Sequence, residues 1–181
     1  NKKTNLNPLW LMRQAGRYLP EFREIRKSNT NFINLCLNSD LSEEITLQPI
    51  ERFDFDAAII FSDILMIPFG LGQSVEFQKN FGPKLGDVLL DKLSENNEGI
   101  FTERLSPIYK LLQNLSRNNK LKNKDLIGFV GAPWTLLVYM INRVSPKNGL
   151  SKTFFKNKGL INSLLKIIDK YTKIHIKNQV N

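Results

Sequence analysis

Apolar positions along this chain fall into short runs whose spacing changes from segment to segment. Pro8 to Tyr18 carries no clear period and predicts a short strand or loop. Pro20 has the fixed φ suited to the first position of a helix, here one running through Glu21 to Arg26. A short helical pattern covers Phe32 to Leu37. Ser42 is placed as the N-cap of a helix from Glu43 to Phe53, with Leu47 and Ile50 on its buried face. Ala57 to Phe61 is a continuous apolar run after Asp56, the pattern of a strand buried on both faces in a parallel sheet. Pro68, Gly70 and Gly72 predict a loop, Ser74 to Gln78 a strand, and Gly82-Pro83 and Asn96-Asn97 a long surface excursion. Pro107 is expected to open a helix through Ile108, Leu111, Leu112 and Leu115. A second buried strand is expected at Leu126 to Gly131. Ala132-Pro133 then starts a helix through Leu136, Leu137 and Met140. Pro146 and Gly149 separate it from a last helix, Leu160 to about Val180, with Leu164, Ile167, Ile168 and Tyr171 on one side.

Alternation of buried strands with helices argues for an α/β fold with a parallel sheet. Two or three strands in 181 residues are too few for a closed (β/α)₈ barrel, which typically takes ~250 residues. The chain also lacks a leading methionine and ends in a helical pattern with no stop signal. Together these features predict part of a longer protein.

Composition narrows the class. With 41% hydrophobic and 24% charged residues, collagen-like, disulfide-scaffold and disordered chains are excluded. A single cysteine, Cys36, cannot close an internal disulfide and points to a reducing, cytoplasmic compartment. The longest apolar runs fall far short of the ~20 residues that cross a bilayer, so no membrane partner is expected. The net charge is +9, from 18 lysines and 8 arginines against 17 acids. The lysines are scattered among 20 asparagines, which reads as a solvated surface. A nucleic-acid partner would require basic and aromatic residues grouped on one face, and none is expected. Arginine behaves differently: Arg13, Arg17, Arg23 and Arg26, half of the total, lie in fourteen residues. Arg23 and Arg26, three apart on a helix, share a face. Arg13 and Arg17 flank Gly16 in a segment able to close over a ligand. Guanidinium groups so concentrated suit a carboxylate or phosphate polyanion.

Sites in parallel α/β folds lie at the carboxyl ends of the strands. Asp63, just beyond Phe61, is either a helix N-cap for Ile64 to Met66 or a carboxylate aimed into a cavity, where low dielectric strengthens its hydrogen bonds. Gly131-Ala132-Pro133 is either a tight strand-to-helix turn or a close approach of backbone to ligand. Tyr139 is a core residue by default, with a hydroxyl that needs a partner if buried. His175 reads as a surface or packing histidine, and Cys36 as a small buried apolar residue. One cysteine and one histidine do not make a zinc site. Gly70-Leu71-Gly72 lacks the strand–turn–helix context of a nucleotide fingerprint, and no Ser-His-Asp or Cys-His arrangement can be assembled.

Three blocks of this sequence resemble the uroporphyrinogen decarboxylase family: Arg-Gln-Ala-Gly-Arg-Tyr-Leu-Pro-Glu-Phe-Arg at 13–23, Asp-Ala-Ala-Ile-Ile-Phe-Ser-Asp-Ile-Leu at 56–65, and Gly-Phe-Val-Gly-Ala-Pro-Trp-Thr-Leu at 128–136 with Tyr139-Met140. They occur in family order and at family-like spacing. The resemblance implies the N-terminal part of a single (β/α)₈ TIM-barrel domain, homodimeric at full length, using neither metal nor cofactor. It implies removal of the four acetate carboxyls of uroporphyrinogen III to give coproporphyrinogen III. It further implies that Asp63 and Arg13 are catalytic, and that Arg13, Gln14, Ala15, Gly16, Arg17, Arg26, Asp63 and Tyr139 bind the tetrapyrrole substrate. The family also uses a serine or threonine and a histidine from its second half, which have no counterpart here. The alternative expectation is a corrinoid-dependent methyltransferase of the same barrel superfamily, which needs a thiolate and histidine zinc site.

Overall fold

The computed structural model describes residues 7–78, 81–88, 93, 97–150, 156 and 158–181. Three short helices lead the chain: α1 (Pro20–Ser28), α2 (Phe32–Cys36) and α3 (Ser39–Phe53). Pro20 stands at the start of α1 as expected. Ser42 does not cap α3. The helix begins at Ser39 because the Asn38 side chain accepts from the Leu41 amide at 3.0 Å. Ser42 is instead buried, its hydroxyl donating to the Leu35 carbonyl.

Strand β1 (Ala57–Ile59) pairs in parallel with β4 (Asp125–Ile127), Ala58 opposite Leu126. Both strands are shorter than their apolar runs. β1 is largely buried, but β4 is exposed at Asp125 and partly exposed at Leu126 and Ile127, so the expectation of burial on both faces fails there. Among the described residues only β1 pairs with β4.

Between the two strands lie α4 (Met66–Gly70) and an antiparallel pair, β2 (Val75–Gln78) with β3 (Gly82–Leu85). The loop expected around Pro68 is thus mostly helix, and the excursion expected at Gly82-Pro83 is a strand. Leu71, Val75 and Leu85 are buried in the main core, and that burial holds the segment. Gln73 fastens the pair to the rest of the fold, its side-chain amide donating to the carbonyls of Gly86 at 2.8 Å and Met140 at 3.1 Å.

Helix α5 (Glu98–Ser116) begins nine residues before Pro107, which lies inside it rather than opening it. Asn97 caps it by accepting from the Ile100 amide at 2.9 Å. Phe101, Leu105, Ile108, Leu111 and Leu115 then form a buried stripe that runs through the proline. Burying such side chains stabilises by ~1.5–3 kcal/mol each, enough to outweigh the ~3 kcal/mol that an interior proline costs. Helices α6 (Pro133–Asn142) and α7 (Lys158–Val180) complete the fold. α3 packs on α5, α5 on α7 and α7 on α6, while α3 also packs on β1. No described helix is long and apolar enough to cross a membrane.

Candidate active site

The carboxyl ends of β1 and β4 are brought together by backbone packing. A Cβ placed on Gly131 would lie 2.6 Å from a Leu136 methyl and 3.0 Å from the Ile64 Cβ. Only glycine lets the turn after β4 approach the residue that follows Asp63 so closely. That favours the tight-turn reading of 131–133, with the glycine answering to protein neighbours.

Asp63 lies four residues beyond the end of β1 and is partly buried. One carboxylate oxygen, Oδ1, accepts from the Leu65 amide at 2.8 Å, and the Asp63 carbonyl accepts from the Met66 amide at 3.2 Å. Asp63 therefore closes the turn that leads into α4, while the helix N-cap position itself is Leu65 and not Asp63 as expected. Oδ2 has no hydrogen-bond partner among the described residues. Burial pushes the carboxyl up to about 6 from 3.8, against the opposing pull of the Leu65 N–H. A carboxylate so placed is short of donors and favours a ligand that brings N–H groups or positive charge.

The strand end is floored by aromatic rings. Phe61 meets Phe22 edge-on at 5.7 Å and Phe32 at 5.8 Å between centroids. The Arg26 guanidinium lies 5.4 Å from the Phe32 ring centre. Arg26 also donates to the Asn29 and Thr30 carbonyls. Its pKa is lowered by burial and then by the like charge of Arg17. Cys36 is buried as expected. Burial pushes its thiol far above the usual range; the Asp63 carboxylate raises it further and Arg26 opposes. Cys36 thus lies within electrostatic reach of both Asp63 and Arg26, and Arg26 within reach of Arg17.

The arginines divide by role. Arg23 donates to the carbonyls of Arg17 at 2.8 Å and Tyr18 at 3.2 Å, so it ties the loop rather than facing a ligand. Arg23 and Arg26 contact different partners, and their helical spacing does not make them one grip. Arg13 and Arg17 are exposed and have no ion pair or hydrogen bond from their guanidiniums among the described residues.

The loop itself is pinned, contrary to the expectation of a free segment. The Tyr18 hydroxyl donates to the Gln14 carbonyl. The Leu19 amide donates to Gly16 at 3.0 Å. Ala15 packs beside Leu19, Phe22, Leu35 and Ile45. Gln14 is 1% exposed, and its side-chain amide bonds to the Ala57 carbonyl at 2.7 Å and the Ile59 amide at 3.1 Å. Leu9, Trp10, Leu11 and Met12, just before Arg13, form an exposed apolar run. Tyr139 sits nearly two turns along α6, partly buried against the core. No hydrogen bond among the described residues joins it to Asp63 or the arginines.

Of the two readings of His175, the structure shows the packing one: it is buried, its Nδ1 lies 3.0 Å from the Tyr109 hydroxyl, and burial lowers its pKa to about 4. Two cavities lie away from Asp63, Arg13, Arg17 and Arg26. One, of about 640 Å³, is lined by Glu21, Asp40, Glu44, Gln48 and Arg52 among others. The other, of about 500 Å³, lies between α5, the end of β4 and the end of α7. No group of three or more His, Cys, Asp or Glu side chains among the described residues is placed to hold a metal ion. Sequence reasoning missed the structural duties of Gln14 and Arg23. The signal available was a glutamine and an arginine flanking a loop that has no period of its own.

Comparison with known proteins adds an independent finding. The family model described as uroporphyrinogen decarboxylase matches residues 1–181. The uroporphyrinogen decarboxylase of Chelativorans sp. (strain BNC1) is 46% identical over 148 residues, covering 81% of this chain and 43% of that protein. That of Rickettsia bellii is 42% identical over 178 residues, covering 97% and 52%. That of Campylobacter jejuni (serotype O:2) is 39% identical over 186 residues, covering 99% and 54%. The chain spans about half the length of the curated relatives it matches. With a family model matched along its whole length and relatives about 40% identical, the chain belongs to the uroporphyrinogen decarboxylase family.

Proposed function

We propose that the protein containing this chain decarboxylates the four acetate side chains of uroporphyrinogen III, giving coproporphyrinogen III and carbon dioxide in porphyrin biosynthesis. The observation that carries this reading is a donor-poor carboxylate, Asp63, just beyond the strand to which Gln14 ties the loop bearing Arg13 and Arg17. The substrate has matching chemistry: eight carboxylates at its rim and pyrrole N–H groups at its centre. Arg13 and Arg17, free of protein anions among the described residues, bind rim carboxylates as charge-assisted pairs. Arg26 adds positive charge from its place over Phe32. The backbone of Gln14, Ala15 and Gly16 carries the two free arginines and lines the substrate beside them. Tyr139 contacts a further carboxylate from α6.

Loss of carbon dioxide leaves an electron pair that needs a sink. Protonation of a pyrrole α-carbon makes the ring cationic, and the ring takes up the pair. Asp63 accepts pyrrole N–H bonds at its open Oδ2 and stabilises that cation, a charge that develops during reaction and is therefore held more tightly than the ground state. Arg13 is the candidate to deliver the proton, although a guanidinium is a reluctant acid. The whole protein is a (β/α)₈ barrel, homodimeric and cytoplasmic, on this reading, with the parallel pair β1–β4 as two of its strands. The methyltransferase alternative needs a zinc-bound thiolate, and the buried environment of Cys36 opposes a thiolate there.

The test supplies uroporphyrinogen anaerobically to the full-length protein and follows coproporphyrinogen. Asp63→Ala and Arg17→Ala are each expected to cut turnover ~10²-fold or more, the scale of losing one preorganised electrostatic group. Unchanged rates in both variants would reject the assignment. Stoichiometric zinc without coproporphyrinogen would favour the alternative.

A further inference from the structure

A buried amide side chain must find partners for both its oxygen and its nitrogen. Gln14 finds them on the backbone of β1: its Nε2 donates to the Ala57 carbonyl and its Oε1 accepts from the Ile59 amide. The two strand groups fix the orientation of the amide, because a backbone N–H can only donate and a carbonyl only accept. The opposite edge of β1 belongs to β4: the Asp56 carbonyl accepts from Asp125, and the Ile60 amide donates to Ile127. Residues 57 and 59 therefore face away from β4. In a parallel ladder, one residue of the neighbouring strand accepts from and donates to two residues that flank its opposite number. The Gln14 side chain reproduces that pair of bonds on the outer edge with a single amide.

We propose that Gln14 is a positioning residue, whose amide stands in for one residue of a parallel strand and so locks the loop bearing Arg13 and Arg17 to the strand that leads to Asp63. The role rests on the decarboxylase reading above for its effect on turnover. Its geometry does not depend on that reading. Ile59, which holds one end of the amide, is four residues from Asp63. Arg13 and Arg17 flank Gln14 in a segment that is tied again by the Tyr18 hydroxyl on the Gln14 carbonyl and by Arg23 on the Arg17 and Tyr18 carbonyls. The arginine-bearing loop and the strand that leads to Asp63, from opposite sides of helices α1 to α3 in the sequence, are thereby tied to each other. Holding charged groups in place before the substrate arrives lowers the ordering cost of binding.

The experiment compares Gln14→Glu and Gln14→Leu with the parent in the full-length protein. Amide hydrogen exchange is followed in residues 13–19, and kcat and KM for uroporphyrinogen between pH 5.5 and 8. At pH 8 the Glu carboxylate still accepts from Ile59 but sets an oxygen against the Ala57 carbonyl. Exchange in the loop is expected to quicken about tenfold, and KM to rise about tenfold with a smaller change in kcat. Burial raises a carboxyl pKa. As the pH falls, the neutral acid regains an O–H donor for Ala57, and the variant-to-parent ratio of kcat/KM climbs. Gln14→Leu lacks both groups and shows no such recovery. Parent-like exchange and KM in Gln14→Glu, or a loss that does not change with pH, would overturn the proposal. A Leu variant that does not fold leaves the pH recovery of the Glu variant to decide. If the parent gives no coproporphyrinogen, the functional reading fails, and loop exchange with its pH recovery alone decides the role of Gln14.

Discussion

Asp63→Asn is expected to make the full-length protein more stable at neutral pH while removing its activity. In the folded chain the carboxyl titrates at about 6, against 3.8 for an unburied aspartate. At ~1.4 kcal/mol per pH unit this gap amounts to ~3 kcal/mol. Between pH 3.8 and about 6 the folded state holds more protons than the unfolded one, so stability falls as pH rises through that window. Above it, the whole penalty of an ionised, donor-poor carboxylate is present. Asparagine keeps an oxygen for the Leu65 amide and carries no charge. The asparagine variant should therefore gain about 2 kcal/mol relative to the parent between pH 4.5 and 7.5. His175 has the opposite sign. Its pKa falls to about 4 from 6.5, so the unfolded state takes up the extra proton and stability is lost as pH falls from 6.5 towards 4. His175→Phe should gain ~2–3 kcal/mol relative to the parent between pH 7.5 and 4.5. The assay is urea unfolding at pH 4.5, 6 and 7.5, with midpoints and slopes fitted together. The two residues offset each other in the parent and tilt in opposite directions when removed singly. A stability difference for Asp63→Asn that is the same at pH 4.5 and 7.5 would refute the argument.

Further predictions concern packing, capping and free charge. Gly131→Ala drives a methyl against Leu136 and Ile64 and should cost ~1–3 kcal/mol by overpacking, read as a lower urea midpoint. Asn97→Ala removes the cap of α5 and should cost ~1 kcal/mol, with faster amide exchange at residues 99–101. Arg17→Ala should stay within ~0.5 kcal/mol of the parent in stability, because its side chain holds nothing in place; a larger loss would show that the cation has a structural partner.

The sequence carried the helices and strands wherever one signal dominated. Pro20 and Pro133 mark true helix starts because a proline at the first turn forfeits no helical bond. Pro68, third residue of α4, likewise forfeits no helical bond, whereas Pro107 sits inside α5 because burial of its neighbours outweighs the lost bond, and that burial is a tertiary fact. Asparagine carries more than its abundance suggests: Asn31, Asn38 and Asn97 each accept from an amide three residues on. Asp63 was visible as a candidate from its place after an apolar run. Its two duties, as cap of a turn and as an open carboxylate, are compatible because they use different oxygens. What sequence could not show was the division among the arginines. Arg13, Arg17, Arg23 and Arg26 are alike as letters, and only the carbonyls around Arg23 and Arg26 separate anchor from grip.

The pairing of β1 with β4 sets a schedule for biosynthesis. Ala57 meets Asp125, a partner that leaves the ribosome about 70 residues later, or roughly 4–14 s at ordinary elongation rates. Through that interval the nascent chain presents an adhesive apolar ribbon with nothing alongside it on that edge. Slow-translating cells, or hosts short of nascent-chain chaperones, should therefore lose this protein to inclusion bodies at the step before β4 emerges, whatever the strength of the finished fold.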